Sequence, residues 1–198
     1  MGHHGWQGNP PRTEEEARQR ILAAAMTCLE QFGPAKTTLS DVASELGVTR
    51  QTVYRYYANL SELLGAVAQA GLEDFVDRMT RHLATFSTPS EVAIESVVYA
   101  VRAIPAEQRI GALFQAGETE VFSRDATSSM AFSVGAGILR ALDVDWSEIG
   151  VADDELEGLA EILMRLFVSF LQSPADPPRT EDELRALVRR WLGPALQA

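Results

Sequence analysis

Residues 38–57 read TLSDVASELGVTRQTVYRYY, and this stretch decides the fold. Thr38 and Thr49 are of a residue type that caps helix N-termini, so each predicts the start of a short helix. Between the two predicted helices, Gly47 suits a tight turn because glycine tolerates a positive φ. Ala43 is small where the two helix axes have to approach each other. The pattern is typical of a helix-turn-helix.

The second predicted helix has an inward and an outward side. Val48, Val53 and Tyr57 fall on the inward side, where the valines fill the wedge between the helices. A helical hairpin with a solvated polar face is the alternative interpretation, but it needs neither this spacing nor an outward side free of acids. The outward side consists of Arg50, Gln51, Thr52, Tyr54, Arg55 and Tyr56. These residues offer bidentate donors for base edges and hydroxyls for phosphates, which favours a DNA-reading surface.

The charge distribution sets this stretch apart from the rest of the chain. The 198 residues include 17 Lys and Arg and 28 Asp and Glu, so the formal net charge is −11. Residues 1–65 are nearly balanced, whereas residues 66–198 carry almost all of the excess acid. No acidic residue occurs from Leu46 to Ser61. Because binding to nucleic acid follows local charge, the acidic total does not exclude a DNA partner.

Helical periodicity runs through nearly the whole chain, without a convincing alternating strand. Cap residues at Thr13, Asn59 and Thr180 predict further helix starts. The sequence therefore predicts an all-α fold of about nine helices, including one long helix from about Leu60 to Leu83. We predict a flexible N-terminal arm over residues 1–12, a helix-turn-helix DNA-binding domain over 13–62, and an effector-binding and dimerisation domain over 63–198.

Several classes of protein are disfavoured. The single cysteine, Cys28, excludes an intramolecular disulfide, and the longest apolar stretch, residues 159–171, is too short to span a bilayer. The N-terminus lacks the apolar core of a secretory signal, so we expect a cytoplasmic protein without a membrane partner. Residues 143–147 begin like a calcium loop, but Glu148 stands where that loop needs glycine. We expect no metal, no cofactor and no enzymatic activity, since no catalytic constellation is evident.

Residues 13–64 resemble the N-terminal domain of tetracycline-repressor-type (TetR family) transcription regulators. The matching features are Phe32-Gly33, Thr37-Thr38, Val42-Ala43, Leu46-Gly47-Val48, the run from Val53 to Tyr57, and Glu62-Leu63-Leu64. The resemblance implies a homodimer that binds a palindromic DNA operator, usually as a repressor that a small molecule releases.

The resemblance also implies roles for individual residues. Thr38 and Ser40 would touch phosphates, and residues 49–52 with Tyr54 and Tyr56 would contact the major groove and its flanking backbone. Together with the outward side described above, the candidate DNA-binding residues are Thr38, Ser40, Thr49, Arg50, Gln51, Thr52, Tyr54, Arg55 and Tyr56. One position departs from the family pattern, because Leu60 stands where a lysine usually meets a phosphate. Asn59 or the backbone N–H groups of that helix end are the candidates to replace it.

Two C-terminal segments are predicted to self-associate. Residues 156–171 are apolar on nearly every face, and the last helix carries a matching apolar stripe. Together with their symmetry mates they would form a four-helix interface, although two internal core helices of a monomer would give the same pattern. The family resemblance favours the dimer, since half-sites about 34–36 Å apart need two reading helices. The candidate interface residues are Leu159, Leu163, Leu166, Phe167, Phe170, Leu184, Leu187, Val188 and Trp191.

The middle of the chain is rich in aromatic residues and methionine, which suit an adaptable apolar pocket and equally suit a core. The pocket itself is implied by the family resemblance, and its aromatic character favours a hydrophobic effector. The candidate lining residues are Phe75, Met79, Phe86, Tyr99, Phe114, Phe122, Met130 and Phe132.

These observations combine into one functional hypothesis. The chain is predicted to be a ligand-responsive DNA-binding transcriptional regulator; a repressor is the favoured interpretation, and an activator is the alternative within regulation. Its predicted partners are operator DNA, a second copy of the chain, and a small-molecule effector. The alternative is a helical small-molecule carrier or enzyme whose helix-turn-helix segment is purely structural.

Overall fold

The computed structural model describes residues 5–196, apart from the side chains of Leu113 and Phe114. Within that range the regular structure is entirely helical, which confirms the predicted fold class. The α-helices are α1 (Glu14–Phe32), α2 (Leu39–Glu45), α3 (Arg50–Tyr54), α4 (Leu60–Ala70), α5 (Leu72–Leu83), α6 (Pro89–Ala106), α7 (Gln108–Gln115), α8 (Thr119–Ala126), α9 (Ser129–Arg140), α10 (Leu156–Gln172) and α11 (Glu181–Leu192). Short 3₁₀ turns occupy Trp6–Gly8, Trp146–Ile149, Asp153–Glu155 and Gly193–Leu196.

The described chain divides into two compact units. The first unit contains residues 5–72 and 107–121, and the second contains residues 73–106 and 122–196. The first unit therefore extends past residue 62, where the sequence places a domain boundary, and it takes in α4 and α7. The grouping follows packing between α4 and α7, which are distant in sequence.

Polar caps begin the helices of the first unit where the sequence predicts them. The Thr13 hydroxyl accepts a hydrogen bond from the Glu16 amide at 3.0 Å, and the carboxylates of residues 14–16 lie in the positively polarised first turn of α1. The Asn59 side chain accepts from the Glu62 amide at 2.8 Å and begins α4. The core inside these helices consists of fully buried side chains from α1 to α4, including Ile21, Val42, Val53, Leu63 and Leu64.

The prediction of one long helix from Leu60 to Leu83 is wrong, because the helix is interrupted at Gly71, which separates α4 from α5. Arg109 of α7 donates a hydrogen bond to the Ala70 carbonyl at 2.8 Å, so the end of α4 is capped from a distant part of the sequence. A Cβ at position 71 would lie 2.9 Å from the Cβ of Arg109, and only glycine permits this close approach.

In the second unit, α6 packs against both α10 and α11. Pro89 occupies the first position of α6, where its missing N–H costs no helical hydrogen bond. Every residue from 92 to 98 is buried, so α6 forms the centre of this unit. Thr180 starts α11 with a capping box to Glu183, as the sequence predicts.

One carboxylate, that of Glu95, is buried inside this unit with only 3% of the residue exposed. Arg185 of α11 donates to both oxygens of the Glu95 carboxylate. Its Nε lies 2.5 Å from Oε1, and its Nη2 lies 3.3 Å from Oε2. Arg185 also donates to Glu181 at 2.6 Å, and this hydrogen bond lowers the pKa of the Glu181 carboxyl. The Glu181 contribution to stability is therefore present above its ordinary pKa of 4.5 and is lost as pH falls through the lowered value.

We expect Glu95→Ala to lower the free energy of unfolding by about 2 kcal/mol, because it removes two charge-assisted hydrogen bonds that join α6 to α11, while Arg185 keeps its bonds to Glu181 and Asp182. Urea unfolding followed by circular dichroism measures the change. The matched control is Glu148→Ala, which removes an exposed carboxylate and should stay within about 0.5 kcal/mol of the parent. A loss from Glu95→Ala no larger than the control would contradict a structural role for the pair.

Candidate nucleic-acid interface

The helix-turn-helix is built by local hydrogen bonds at both of its helix starts. The Thr38 hydroxyl accepts from the Asp41 amide at 3.3 Å, and the Asp41 carboxylate accepts in return from the Thr38 amide at 2.8 Å. Gly47 then turns the chain with φ +64°, and the Val48 amide donates to the Ala43 carbonyl at 2.9 Å. These hydrogen bonds fix the turn, and the turn sets the direction of α3 relative to α2.

The predicted inward and outward sides of α3 are found as expected. Val53 and Tyr57 are buried, and Val48 is half-buried. None of the nine candidate DNA-binding residues is buried: Ser40, Thr52 and Tyr56 are half-exposed, and Thr38, Thr49, Arg50, Gln51, Tyr54 and Arg55 are exposed. All nine side chains are therefore accessible to a ligand.

Arg50 and Tyr54 form a pair one helical turn apart on the exposed side of α3. The guanidinium of Arg50 lies 4.9 Å from the centre of the Tyr54 ring and donates to its hydroxyl at 2.5 Å. At the start of the helix, the hydroxyls of Thr49 and Thr52 lie 2.9 Å apart, and Thr49 also accepts from the Thr52 amide. The pairing pre-orders a cation and several hydroxyls on one surface, which reduces the entropy lost on binding.

A second cluster lies just after α3 and includes a residue that the sequence analysis missed. Arg55 donates to the Tyr56 hydroxyl at 3.0 Å, and the guanidinium of Arg18 in α1 lies 5.9 Å from the centre of the Tyr56 ring. Arg18 also donates to the Tyr56 carbonyl at 3.3 Å. In the sequence Arg18 looks like an ordinary surface partner of Glu14, four residues earlier, and its role at Tyr56 depends on the fold.

Part of the segment predicted as a flexible arm lies against the helix-turn-helix. Gln7 donates through Nε2 to the Glu45 carbonyl at 2.9 Å, and the Trp6 ring meets the Tyr56 ring edge-on with centroids 6.5 Å apart. Arg20 of α1 donates to the Asn9 carbonyl at 2.5 Å. The glycine and proline content of this segment suggested flexibility, whereas Trp6 was the signal that could have indicated packing.

Two of the carboxylates that flank this surface in sequence, those of Asp41 and Glu62, are used in helix caps, while Glu45 at the end of α2 is exposed. Asp41 accepts from the amide and hydroxyl of Thr38, and Glu62 accepts from the Ala58 amide at 2.7 Å. Burial raises the pKa of the Tyr57 phenol, so this inward ring stays neutral at physiological pH. The outward side is therefore cationic and hydroxyl-rich, which suits a phosphate backbone.

The candidate dimer residues separate into an inner and an outer set. Leu163, Phe167, Leu184 and Val188 are buried within the second unit, whereas Leu159, Leu166, Phe170 and Leu187 are half-exposed. Trp191 is 74% exposed, and Ile162, which was not among the candidates, is 52% exposed. In the single subunit only one face of α10 packs inward, so the predicted self-association through its other face stays a prediction.

Most of the candidate pocket residues lie in the second unit, in ring contacts or buried positions. Phe75 and Tyr99 lie with ring centres 6.0 Å apart, and His82 stacks on Tyr99 at 4.7 Å while meeting the Phe86 ring at 5.4 Å. Phe122 and Phe132 are buried, and Met79 is half-buried.

Two further pocket candidates have different outcomes. Met130 is 74% exposed, so its assignment to an enclosed pocket of this subunit is wrong. It lies in the first turn of α9, on the side that faces away from the protein core. The side chain of Phe114 falls outside the described residues.

The calcium-like loop has a structural use. Asp145 accepts from the amide and the hydroxyl of Ser147 at 3.0 and 2.6 Å, and these bonds lower the pKa of its carboxyl. It thereby caps the 3₁₀ turn Trp146–Ile149.

Comparison with known proteins identifies the helix-turn-helix. Residues 21–67 match the family model described as bacterial regulatory proteins, tetR family. The transcriptional repressor LfrR of Mycolicibacterium smegmatis is 30% identical over 137 residues, which cover 61% of this chain and 71% of LfrR. The chain belongs to the TetR family of helix-turn-helix transcriptional regulators.

Other TetR-family comparisons differ in how much they cover. The transcriptional regulator TtgR of Pseudomonas putida is 38% identical over 73 residues, so the match spans 35% of this chain and only about a third, 34%, of TtgR. The crystal structure of the TetR family repressor AlkX from Dietzia sp. superposes with a TM-score of 0.60 at 23% identity, covering 96% of this chain and 98% of AlkX. The AlkX likeness extends the shared fold across both units. None of the helices in residues 5–196 is long and apolar enough to cross a membrane.

We expect Gly47→Ala to destabilise the protein by about 1–2 kcal/mol, because alanine is strained at a positive φ. The matched control is Gly137→Ala in α9, where a Cβ meets nothing within 4 Å. There alanine should stabilise by about 0.5–1 kcal/mol, since it is the better helix former. Urea unfolding of both variants measures the change in the free energy of unfolding. A change of the same sign in both variants would be evidence against a strained turn at Gly47.

Proposed function

We propose that this TetR-family protein is a repressor that binds a palindromic operator as a homodimer and is released by a small hydrophobic effector. The observation that carries the proposal is the outward side of α3, where cationic and hydroxyl side chains are pre-ordered and free of carboxylates. Such a surface fits the major groove of duplex DNA, which admits a helix and presents acceptors to arginine.

The residues divide into two kinds of contact under this proposal. Arg50 and Gln51 at the start of α3 reach base edges, where arginine pairs with guanine and glutamine with adenine. Thr38, Ser40 and Tyr56 face the phosphates, which fixes the position of the helix in the groove. The Thr38 hydroxyl already donates to Asp41 at 2.7 Å, so a phosphate contact there has to share or replace that bond.

Exposed and half-exposed apolar side chains form a row on α10 and another on α11, and these rows support a symmetric dimer. The rows consist of Leu159, Ile162, Leu166 and Phe170 on α10 and of Leu187 and Trp191 on α11. Both helices pack on α6 through their inner faces, which leaves Ile162 and Trp191 directed outward. Large exposed apolar side chains mark interaction surfaces, and a twofold dimer presents the same patch from both subunits. Dimerisation supplies the second copy of α3 that a palindrome requires.

The aromatic cluster of Phe75, Tyr99, His82 and Phe86 in the second unit supports a hydrophobic effector. An effector lowers DNA affinity only if it binds the DNA-incompetent conformation more tightly, and the coupling is reciprocal. Operator DNA should therefore weaken effector binding by the same factor as effector weakens operator binding.

We expect Arg50→Ala and Tyr54→Ala to weaken specific operator binding by about tenfold or more, because Arg50→Ala removes a base contact and Tyr54→Ala removes the ring and hydroxyl that order Arg50. The measurement is fluorescence anisotropy with duplexes from the DNA flanking the protein's own gene, repeated from low to high salt. The wild-type affinity should fall steeply with salt, as counterions return to the phosphates. Circular dichroism should show an unchanged fold.

The control for Arg50→Ala is Arg124→Ala, which removes an exposed arginine paired with its neighbour Asp125 in the second unit. It should bind like the wild type. Operator affinity retained in Arg50→Ala and Tyr54→Ala would refute the assignment of the reading surface. Wild-type protein that binds no duplex even at low salt would favour the carrier alternative.

We expect Ile162→Glu to convert the dimer to a monomer and to weaken operator binding, because a carboxylate would be buried without a partner at the interface. Analytical ultracentrifugation measures the association state. Gln19→Glu adds the same group to an exposed position on α1 and should leave the dimer intact. A dimer that persists in Ile162→Glu would place the interface elsewhere.

A further inference from the structure

Residues 5–9, with the sequence GWQGN, carry an unusual backbone. Trp6 and Gln7 are consecutive non-glycine residues in the left-handed region, with φ of 63° and 55°. Left-handed backbone costs roughly 1–2 kcal/mol per residue for residues with a Cβ. Such strain persists only where surrounding contacts hold it.

The contacts that hold this segment lie on both sides of α3. Before α3, Gln7 donates to the Glu45 carbonyl at the end of α2, and a Cβ at Gly47 would lie 3.6 Å from the Gln7 amide nitrogen. A Cβ at Gly5 would likewise lie 3.7 Å from the Val48 side chain. The segment thus lies directly beside the turn, with the Gln7 hydrogen bond joining it to the end of α2.

After α3, the segment contacts a residue of the reading surface. The Trp6 ring meets the Tyr56 ring edge-on, at an interplanar angle of 86°. Tyr56 lies beyond the last residue of α3, so its ring orientation depends on neighbours rather than on the helix. Trp6 and Arg18 are such neighbours, and Tyr56 in turn accepts a hydrogen bond from Arg55.

We propose that residues 5–9 form a brace that holds α3 and Tyr56 in the DNA-reading arrangement, with Trp6 and Gln7 as positioning residues. The inference rests on the proposed DNA-binding function and adds a determinant of affinity that does not itself touch DNA. Five-residue helices are marginal in isolation, so support at both ends of α3 raises the population of the binding-competent surface.

The brace contains no ionisable side chain, so the salt dependence of binding distinguishes a positioning role from a phosphate contact. A residue that contacts phosphates changes the slope of log affinity against log salt, whereas a positioning residue changes affinity without changing that slope. A positioning role also predicts that Trp6 acts through Tyr56, which a double-mutant cycle detects.

The experiment compares Trp6→Ala, Trp6→Phe, Gln7→Ala and Tyr56→Ala by operator binding at several salt concentrations. We expect Trp6→Ala to weaken binding by about three- to tenfold, the range of an edge-to-face ring pair, with an unchanged salt slope. Trp6→Phe should restore most of the affinity, and Trp6→Ala should add little in a Tyr56→Ala background. Gln19→Ala, which removes an exposed amide bonded to Glu15, is the control for Gln7→Ala and should have no effect.

Hydrogen exchange of the free protein provides a test that does not need DNA. Trp6→Ala should speed amide exchange over residues 50–57 and leave α1 unchanged. If wild-type protein binds no duplex, the proposed function fails and this measurement still decides whether the brace exists. The brace is overturned by unchanged exchange, by wild-type or tighter operator binding in Trp6→Ala, or by a reduced salt slope.

Discussion

The shortness of α3 is the constraint on which the proposed DNA-reading surface depends. A helix of five residues has too few internal hydrogen bonds to be stable alone, so its conformation comes from what it packs against. Val53 anchors its inner side in the core, Tyr57 anchors the chain just after it, and Thr49 caps its start. The turn at Gly47 sets its direction relative to α2. These four supports together keep the outward arginines, threonines and tyrosines on one surface.

A different constraint organises the second unit, where the buried carboxylate of Glu95 has to be paired. A charge removed from water is tolerated only with close partners, and Arg185 supplies two hydrogen bonds to it. The pair ties α11 to α6, and α10 packs on the same helix. The apolar rows that face outward on α10 and α11 owe their placement to this shared support, so the proposed dimer surface depends on the core beneath it.

Local signals in the sequence were reliable guides to this fold. Thr13, Thr38, Asn59 and Thr180 cap helices as predicted, since a cap involves only residues three positions apart. The break at Gly71 was missed, and the Arg109 side chain that caps the end of α4 comes from a helix that the sequence does not connect to α4. Periodicity predicted that residues 156–171 are helical and apolar, but it did not predict which face would remain exposed.

The sequence by itself determined the helical fold class, the helix-turn-helix and the acid-free outward side of α3. These features follow from spacings of three to four residues, within which capping, turning and amphipathic faces are decided. Only the tertiary structure decided that Trp6 and Gln7 lie on the helix-turn-helix, that Arg18 meets Tyr56, and that Glu95 pairs with Arg185. The partners in these contacts are about 38 to 90 residues apart in sequence, and no local pattern records a contact that forms only when distant helices pack.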